Sequence, residues 1–310
     1  MNTSSSVVLH LDSQYNVTQL QSGLTTNYLY NLVEPILIPD NESCEVSLYS
    51  ATIPYSFYNV RDGVNNTFYI LLATTAGTYA RTITLTPGNY NALTLKTELK
   101  SKIKAAGGIT PIGALEFKIT YSRPSLKYTF ELEQSVPDFL SLEFKFKTSH
   151  RLFGFNSGET SKEFIGPGTG GGFVSDSCVD LNDSIHGLYL RQNLTTKATL
   201  DNQTGTFSNI LARIPISCNA GGVIFHSPAN STHRAMTTLH SIQSIGIKLT
   251  DDANNTIDLN GLHFQISILV SFVKREPKRM RRIAEFAALN NQLNEKRKTK
   301  KRQSKNNKSK

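Results

Sequence analysis

The chain has 310 residues, 38% of them hydrophobic, with no Trp, three cysteines and a formal net charge of +9. That length allows a sizeable core, while the absence of any run of about 18 apolar residues excludes a helical membrane span. Modest apolar content with abundant Asn, Thr and Ser argues for strands joined by polar turns rather than a helical bundle. The charge is unevenly spread. Residues 274–310 hold fifteen Lys or Arg against three Glu, whereas 1–273 hold eighteen against twenty-one. The body is mildly acidic and the tail carries the excess.

The first residues, MNTSSSVVLHLDSQ, show neither a basic start nor a long apolar stretch, so no secretory signal is read there. Residues 1–20 are expected to form an extended arm in which Val7, Leu9 and Leu11 alternate as in an edge strand. Strands follow at 44–53, 67–73 and 80–85. Pro54 stops the first of these and is followed at once by Tyr55, Phe57, Tyr58 and Asn59. A short helix comes next, with Leu95, Leu99 and Ile103 four apart on one face and AGG at 106–108 ending it.

Two period-2 runs, LEFKITY (115–121) and LKYTFELE (126–133), predict a hairpin with one wet face: in the second, Leu126, Tyr128, Phe130 and Leu132 face one way and Lys127, Thr129, Glu131 and Glu133 the other. LEFKFK (142–147) is a further strand, and GPGTGGG (166–172) a flexible loop. Later strands are expected at 186–191, 209–216, 222–226 and 242–249. The clearest lies at the end of the body, where Leu262, Phe264, Ile266, Ile268, Val270 and Phe272 share one face. Many strands, one helix and no alternation of the two predict an all-β fold. A single jelly-roll barrel, two packed antiparallel sheets with one short helix and a basic C-terminal tail, fits best. The expected division is an arm over 1–20, one domain over 21–273 and a tail over 274–310.

Chemistry-bearing patterns are few. Cys44, Cys178 and Cys218 are odd in number, widely spaced and free of a CxxC pair; they read as small buried residues in a reducing compartment rather than disulfides or zinc ligands. His10, His150, His186, His226, His233, His240 and His263 are scattered. A metal-binding cup from His226, His233 and His240 competes with loop histidines, and the loop reading is preferred. GPGTGGG lacks the Lys and Ser/Thr of a phosphate loop, and no GxSxG elbow occurs. Asp251 and Asp252 read as a solvated turn. N-x-[ST] triplets at Asn16, Asn65, Asn193 and Asn202 are what chance gives in so Asn- and Thr-rich a chain. No catalytic, cofactor or metal residue is expected, and the chain does not read as an enzyme.

The tail is more specific. Lys274, Arg275, Lys278, Arg279, Arg281 and Arg282 precede a stretch in which Ile283, Phe286, Ala287, Leu289 and Leu293 make an amphipathic stripe. Lys296, Arg297, Lys298, Lys300, Lys301 and Arg302 follow, with no apolar residue beyond Glu295. Phosphate neutralisation of nucleic acid, an anionic membrane surface, a nuclear-import signal and a merely solubilising tail all fit this composition. The first is preferred, because the charge is high and aromatics for base stacking are nearly absent.

Several phrases in order resemble the vertex (penton, or minor capsid) proteins of virophages and polinton-like viruses. They are LYSATIPYSFYNV (48–60), LTPGNYNALTLKTELKSKI (85–103), RLFGF (151–155), HGLYLRQNL (186–194), NILARIPIS (209–217) and the closing IGIKLTDDANNTIDLNGLHFQISILVSF (245–272). The resemblance implies a single jelly roll that assembles as a homopentamer at the fivefold vertices of an icosahedral shell. It implies contact with the major capsid protein, a place in the virion and synthesis in the host cytoplasm. Some relatives carry a domain inserted in the barrel; here only 60–80 and 156–180 offer room, as loops. The tail stands on its composition alone, as a non-specific contact to packaged double-stranded DNA. In such a ring Tyr55, Phe57 and Tyr58 would face a neighbouring subunit; equally, they could plug one end of the barrel core. A monomeric jelly-roll module that binds glycan or nucleic acid is the rival reading.

Overall fold

Alternating burial runs through several of the strands, and there it sets which residues face a core. In the segment Thr67–Thr74, Phe68, Ile70 and Leu72 are buried while their neighbours are half-exposed, the period-2 pattern of a strand with one covered face. The computed structural model describes residues 3–106, 111–165, 171–183, 185–195, 199–201, 205–228 and 233–274. In chain order these form β1 (Thr3–Asp12), β2 (Val17–Gln19), β3 (Asn27–Leu37), β4 (Glu42–Pro54), β5 (Thr67–Thr74), β6 (Gly77–Thr84) and the helix α1 (Ala92–Ala105). They continue with β7 (Glu116–Ser122), β8 (Lys127–Gln134), β9 (Phe139–Lys145), β10 (Lys162–Ile165), β11 (Gly172–Val174) and β12 (Leu188–Gln192). The remainder are β13 (Thr199–Asp201), β14 (Thr206–Ser208), β15 (Ile210–Ile214), β16 (Val223–His226), β17 (Ala235–Thr237), β18 (Ser241–Thr250) and β19 (Gln265–Lys274).

The described residues are thus mostly strand, in several antiparallel sheets, and no barrel closes among them. One sheet runs β1-β19-β4-β16, with β17 also on β4, and a second runs β15-β12-β18-β3-β2. Between them lies a core that draws on Leu11 to Phe57 and on Ile185 to Phe272. Two further sheets, β10-β9-β5-β6 and β11-β8-β7, join α1 around a separate core drawn from Val60 to Phe164. The range expected to be one domain therefore holds two cores. The segments read as possible loops at 60–80 and 156–180 instead contribute β5, β6, β10 and β11 to the second.

The second core is dense in aromatics. Phe130 lies within 6.4 Å, centroid to centroid, of Phe144, Phe146, Phe155 and Phe173. Helix α1 closes one side of it. Asn91 caps the helix, its side chain accepting from the Leu93 and Thr94 amides while Thr94 returns a bond to the cap, which satisfies orphan donors of the first turn. Leu95, Leu99 and Ile103 are buried as the spacing predicts, and Lys102 and Lys104 sit in the last turn, where cations suit the helix dipole. The Tyr128 hydroxyl donates to the Ala92 carbonyl at 2.6 Å, tying the helix to β8.

Other departures from the sequence reading are local. The N-terminal arm is an integral strand: β1 pairs with β19 from Thr3 to Asp12, and Leu11 is in the core. Leu126 precedes β8 in a left-handed turn at φ +54° and is exposed, and Leu262 is likewise exposed before β19. Of the glycine-rich loop, 166–170 lies outside the described residues. Gly172 pairs with Glu131 as the first residue of β11, and a Cβ there would lie 2.8 Å from the Phe130 carbonyl oxygen.

Candidate interaction surfaces

The segment from Pro54 to Val60 leaves the first core and enters the second. The Tyr55 amide donates to the Gly222 carbonyl and the Gly221 amide to the Tyr55 carbonyl, extending the β4–β16 ladder past Pro54. The Tyr55 ring stacks on Phe57 at 4.3 Å between centroids, and burial followed by the nearby Cys218 pushes the Tyr55 phenol above its ordinary range. Phe57 is 1% exposed and belongs to the core, so it has no surface left for a neighbour. Tyr58 is exposed. Of the three rings, one plugs the core, one is half-buried and one is free for contact. Asn59 then imitates a strand partner: its side chain donates to the Tyr90 carbonyl and accepts from the Tyr90 amide.

Ionic contacts link the two cored parts just beyond. Arg61 donates to Asp251 at 2.8 Å, and the Asp251 side chain is 0% exposed. Asp251 Oδ1 also accepts from the Ala253 and Asn255 amides, and Oδ2 from Asn255 Nδ2. Asn65 donates to Asp183 at 3.1 Å. His186 faces Asp252 through Nδ1 at 2.8 Å and Asp180 through Nε2 at 3.2 Å. The acidic pair read as a solvated turn is thus half structural, because its partner Arg61 is 190 residues away in the chain. Asn65, one of the N-x-[ST] positions, is fully buried in this network.

A groove of about 670 Å³ opens beside these contacts. Thr67 and Thr82, Lys147 and Arg151, and Glu159 with Asp183 line it. Lys147 donates to Glu159 at 2.7 Å, and that bond holds the Glu159 carboxyl below its ordinary range. Arg151 lies 3.8 Å from Asp183. None of these residues stands out in the sequence, since Lys147 to Arg151 fall in two short 3-10 turns without periodicity.

Apolar side chains are exposed at both flanks of the β1-β19-β4-β16 sheet: Val7 and Val8 on β1, Val223 and Phe225 on β16. The β13–β14 hairpin exposes the cross-strand pair Leu200 and Phe207. A smaller cavity of about 380 Å³ lies near this hairpin, lined in part by Leu48, Leu200, Leu211 and Ala212.

Among the cysteines only Cys44 is buried; Cys218 is half-buried and Cys178 exposed, and all three are free thiols. That corrects the expectation of three buried residues. Among the described residues no group of three or more His, Cys, Asp or Glu is placed to hold a metal ion, and no helix is long and apolar enough to cross a membrane. Of the basic tail only Lys274 is described, opposite Glu42 at the end of β19. Arg275, Lys278, Arg279, Arg281, Arg282, Lys296, Arg297, Lys298, Lys300, Lys301 and Arg302 lie outside the described residues.

No protein-family model matches the chain, and no curated protein matches it. Among solved structures, the mavirus penton protein is similar over 87% of this chain and 100% of that one, at 10% identity and a TM-score of 0.47.

Proposed function

We propose that the chain is a structural capsid protein that forms the fivefold vertex of an icosahedral viral shell as a homopentamer. The observation that carries this reading is the strand order around the first core. Taken in chain order as strands 1 to 8, β1, β3, β4, β12, β15, β16, β18 and β19 give sheets running 1-8-3-6 and 5-4-7-2. That order supports a jelly roll, two Greek keys folded into two sheets, with the second cored part inserted between strands 3 and 4. Jelly rolls serve shells, lectins and metal-dependent enzymes alike, so fold alone does not decide. The ordered vertex-protein phrases in the sequence select the shell.

The flanks support the same reading. A ring closed by cyclic symmetry joins two different patches on opposite sides of each subunit, and the β1 and β16 edges offer two apolar ones. The half-buried Tyr55 and exposed Tyr58 add to the contact surface, together with the major capsid protein as a second partner. The basic tail follows β19 directly. Turned inward, its net +12 neutralises phosphate of packaged double-stranded DNA without reading sequence. The virion is then its location, after synthesis in the host cytoplasm.

Two variants test this reading. Val223→Lys with Phe225→Lys is expected to shift the full chain from pentamer to monomer in sedimentation velocity while the far-ultraviolet circular dichroism of the folded strands stays unchanged. Persistence of the pentamer moves the interface elsewhere. A chain ending at Lys274 is expected to bind duplex DNA more weakly and with a shallower salt slope; equal slopes remove the tail from that role.

A further inference from the structure

We propose that the groove lined by Lys147, Arg151, Glu159 and Asp183, with Ala253 and Asn255 from the β18–β19 connection, is a saccharide-binding site. The claim does not depend on whether the chain assembles into a shell. Its basis is the balance of charge and the alternation of hydrogen-bonding roles along the groove. Lys147 is matched by Glu159 at 2.7 Å, and Arg151 is set against Asp183 at 3.8 Å. Two cations facing two carboxylates leave little net field to attract a phosphate or a nucleic-acid backbone. They do present donors and acceptors side by side, which suits hydroxyl groups that give one hydrogen bond and accept two.

Hydroxyls of the protein complete the set. Thr67 and Thr148 share a bond of 2.7 Å, and the Thr67 amide also donates to Thr148. Only one of the two hydroxyl protons is used between them, which leaves the other for a ligand in the groove that both residues line. Thr82 is exposed on β6 at the same rim.

Beside Thr67 and Thr82, the outer face of the β5–β6 pair adds an aromatic ring. Tyr69 stands directly opposite Thr82 in the β5–β6 register and opposite Lys145 on β9. It points away from the core that Phe68 and Ile70 fill. Around it the same face carries Leu71, Ala73, Thr78 and Ala80, with Lys145 and Glu143 on the β9 side, an apolar strip between an aromatic ring and an ion pair. An aromatic with a polar tip next to alternating donors and acceptors offers both the apolar face and the hydrogen bonds a pyranose uses.

The rim is built rather than incidental. Lys147 holds a left-handed conformation at φ +39° and Asp183 one at φ +50°, costly for residues other than glycine. The Lys147 amide donates to the Gly158 carbonyl at 2.9 Å. A Cβ at Gly158 would lie 1.9 Å from the Lys147 carbonyl oxygen. Only glycine permits the two backbones to close at that distance, and the closure fixes Lys147 and Glu159 against each other.

The test is saturation-transfer NMR on the full chain with methyl glycosides of glucose, galactose, mannose and N-acetylglucosamine, and with N-acetylneuraminic acid. At least one is expected to bind with a dissociation constant of about 1 mM or tighter. Arg151→Ala and Thr82→Arg are each expected to weaken it about tenfold, whereas Lys118→Ala on the other sheet leaves it unchanged. Thr82 is exposed, so its variant decides the matter even if Arg151→Ala fails to fold. No binding by any of the five at about 50 mM, or full binding by the Thr82→Arg protein, overturns the proposal. So does a sulfated heparin fragment that occupies the groove, is displaced by salt and is matched by none of the five.

Discussion

Replacing Arg61 by Ala removes the guanidinium that faces Asp251, a carboxylate with no solvent exposure. Breaking a buried ion pair by deleting one partner costs about 3–5 kcal/mol, because the remaining charge is left uncompensated. Asp251 keeps three N–H donors, from Ala253, Asn255 and the Asn255 side chain, so the cost falls at the lower end, about 3 kcal/mol. For a chain of this size that corresponds to a fall of about 5 °C in melting temperature. Circular dichroism melts of wild type, Arg61→Ala, Asp251→Asn and the double variant measure both the loss and its origin. A double-mutant cycle is expected to return a coupling of about 1–3 kcal/mol, insensitive to added salt because the pair is shielded from it. A single variant that melts within about 1 °C of wild type, or two losses that simply add, would refute the view that this pair holds the two cored parts in register.

Three further outcomes follow from the same structure. Leu99→Ala empties a fully buried site under α1 and is expected to cost about 2–5 kcal/mol in urea unfolding; a loss below about 1 kcal/mol would mean the helix does not seal the second core. Burial, and then the Glu45 carboxylate, push the Cys44 thiol up to about 11. An aromatic disulfide reagent at pH 8 should therefore label exposed Cys178 in the native protein and Cys44 only after denaturation, and early labelling of Cys44 contradicts its placement. The hydrogen bond from Lys162, aided by the Asn156 amide and opposed by desolvation, holds the Asp176 carboxyl below its usual 3.8. A depressed carboxylate stabilises the fold above 3.8 and ceases to do so as pH falls through that value and below it. Melting temperatures from pH 6 downward should drop less steeply for Asp176→Asn than for wild type, and parallel curves would remove Asp176 from the acid response.

Local patterns in the sequence were enough for elements with one wet face. The period-2 burial of β8 and the four-residue spacing of α1 are properties of neighbouring residues, and they are realised at Tyr128 and Leu99; β19, read as one apolar face, is buried on both, Ser267 and Ser271 included. Partition into two cores was not legible, because the alternation in β5 and β9 carries no mark of which core they serve. Periodicity says that a strand has a covered face without saying which sheet covers it. Burial of Asp251 depends on Arg61 across the fold, and turn composition carries no trace of such a partner. The aromatic cluster after Pro54 was visible as a peculiarity, but its division into a plug at Phe57 and a free ring at Tyr58 needed the path between the cores. Nor could spacing reveal the groove, which gathers Thr67, Lys147, Glu159 and Asp183 from distant turns and strand ends.

Vertex assembly is the central claim, and the mass and symmetry of the purified full-length chain test it most directly. Sedimentation equilibrium joined to negative-stain class averages should give particles of five chains with fivefold symmetry, either alone or on addition of the shell's major capsid protein. Monomers at every concentration, with and without that partner, would contradict the account.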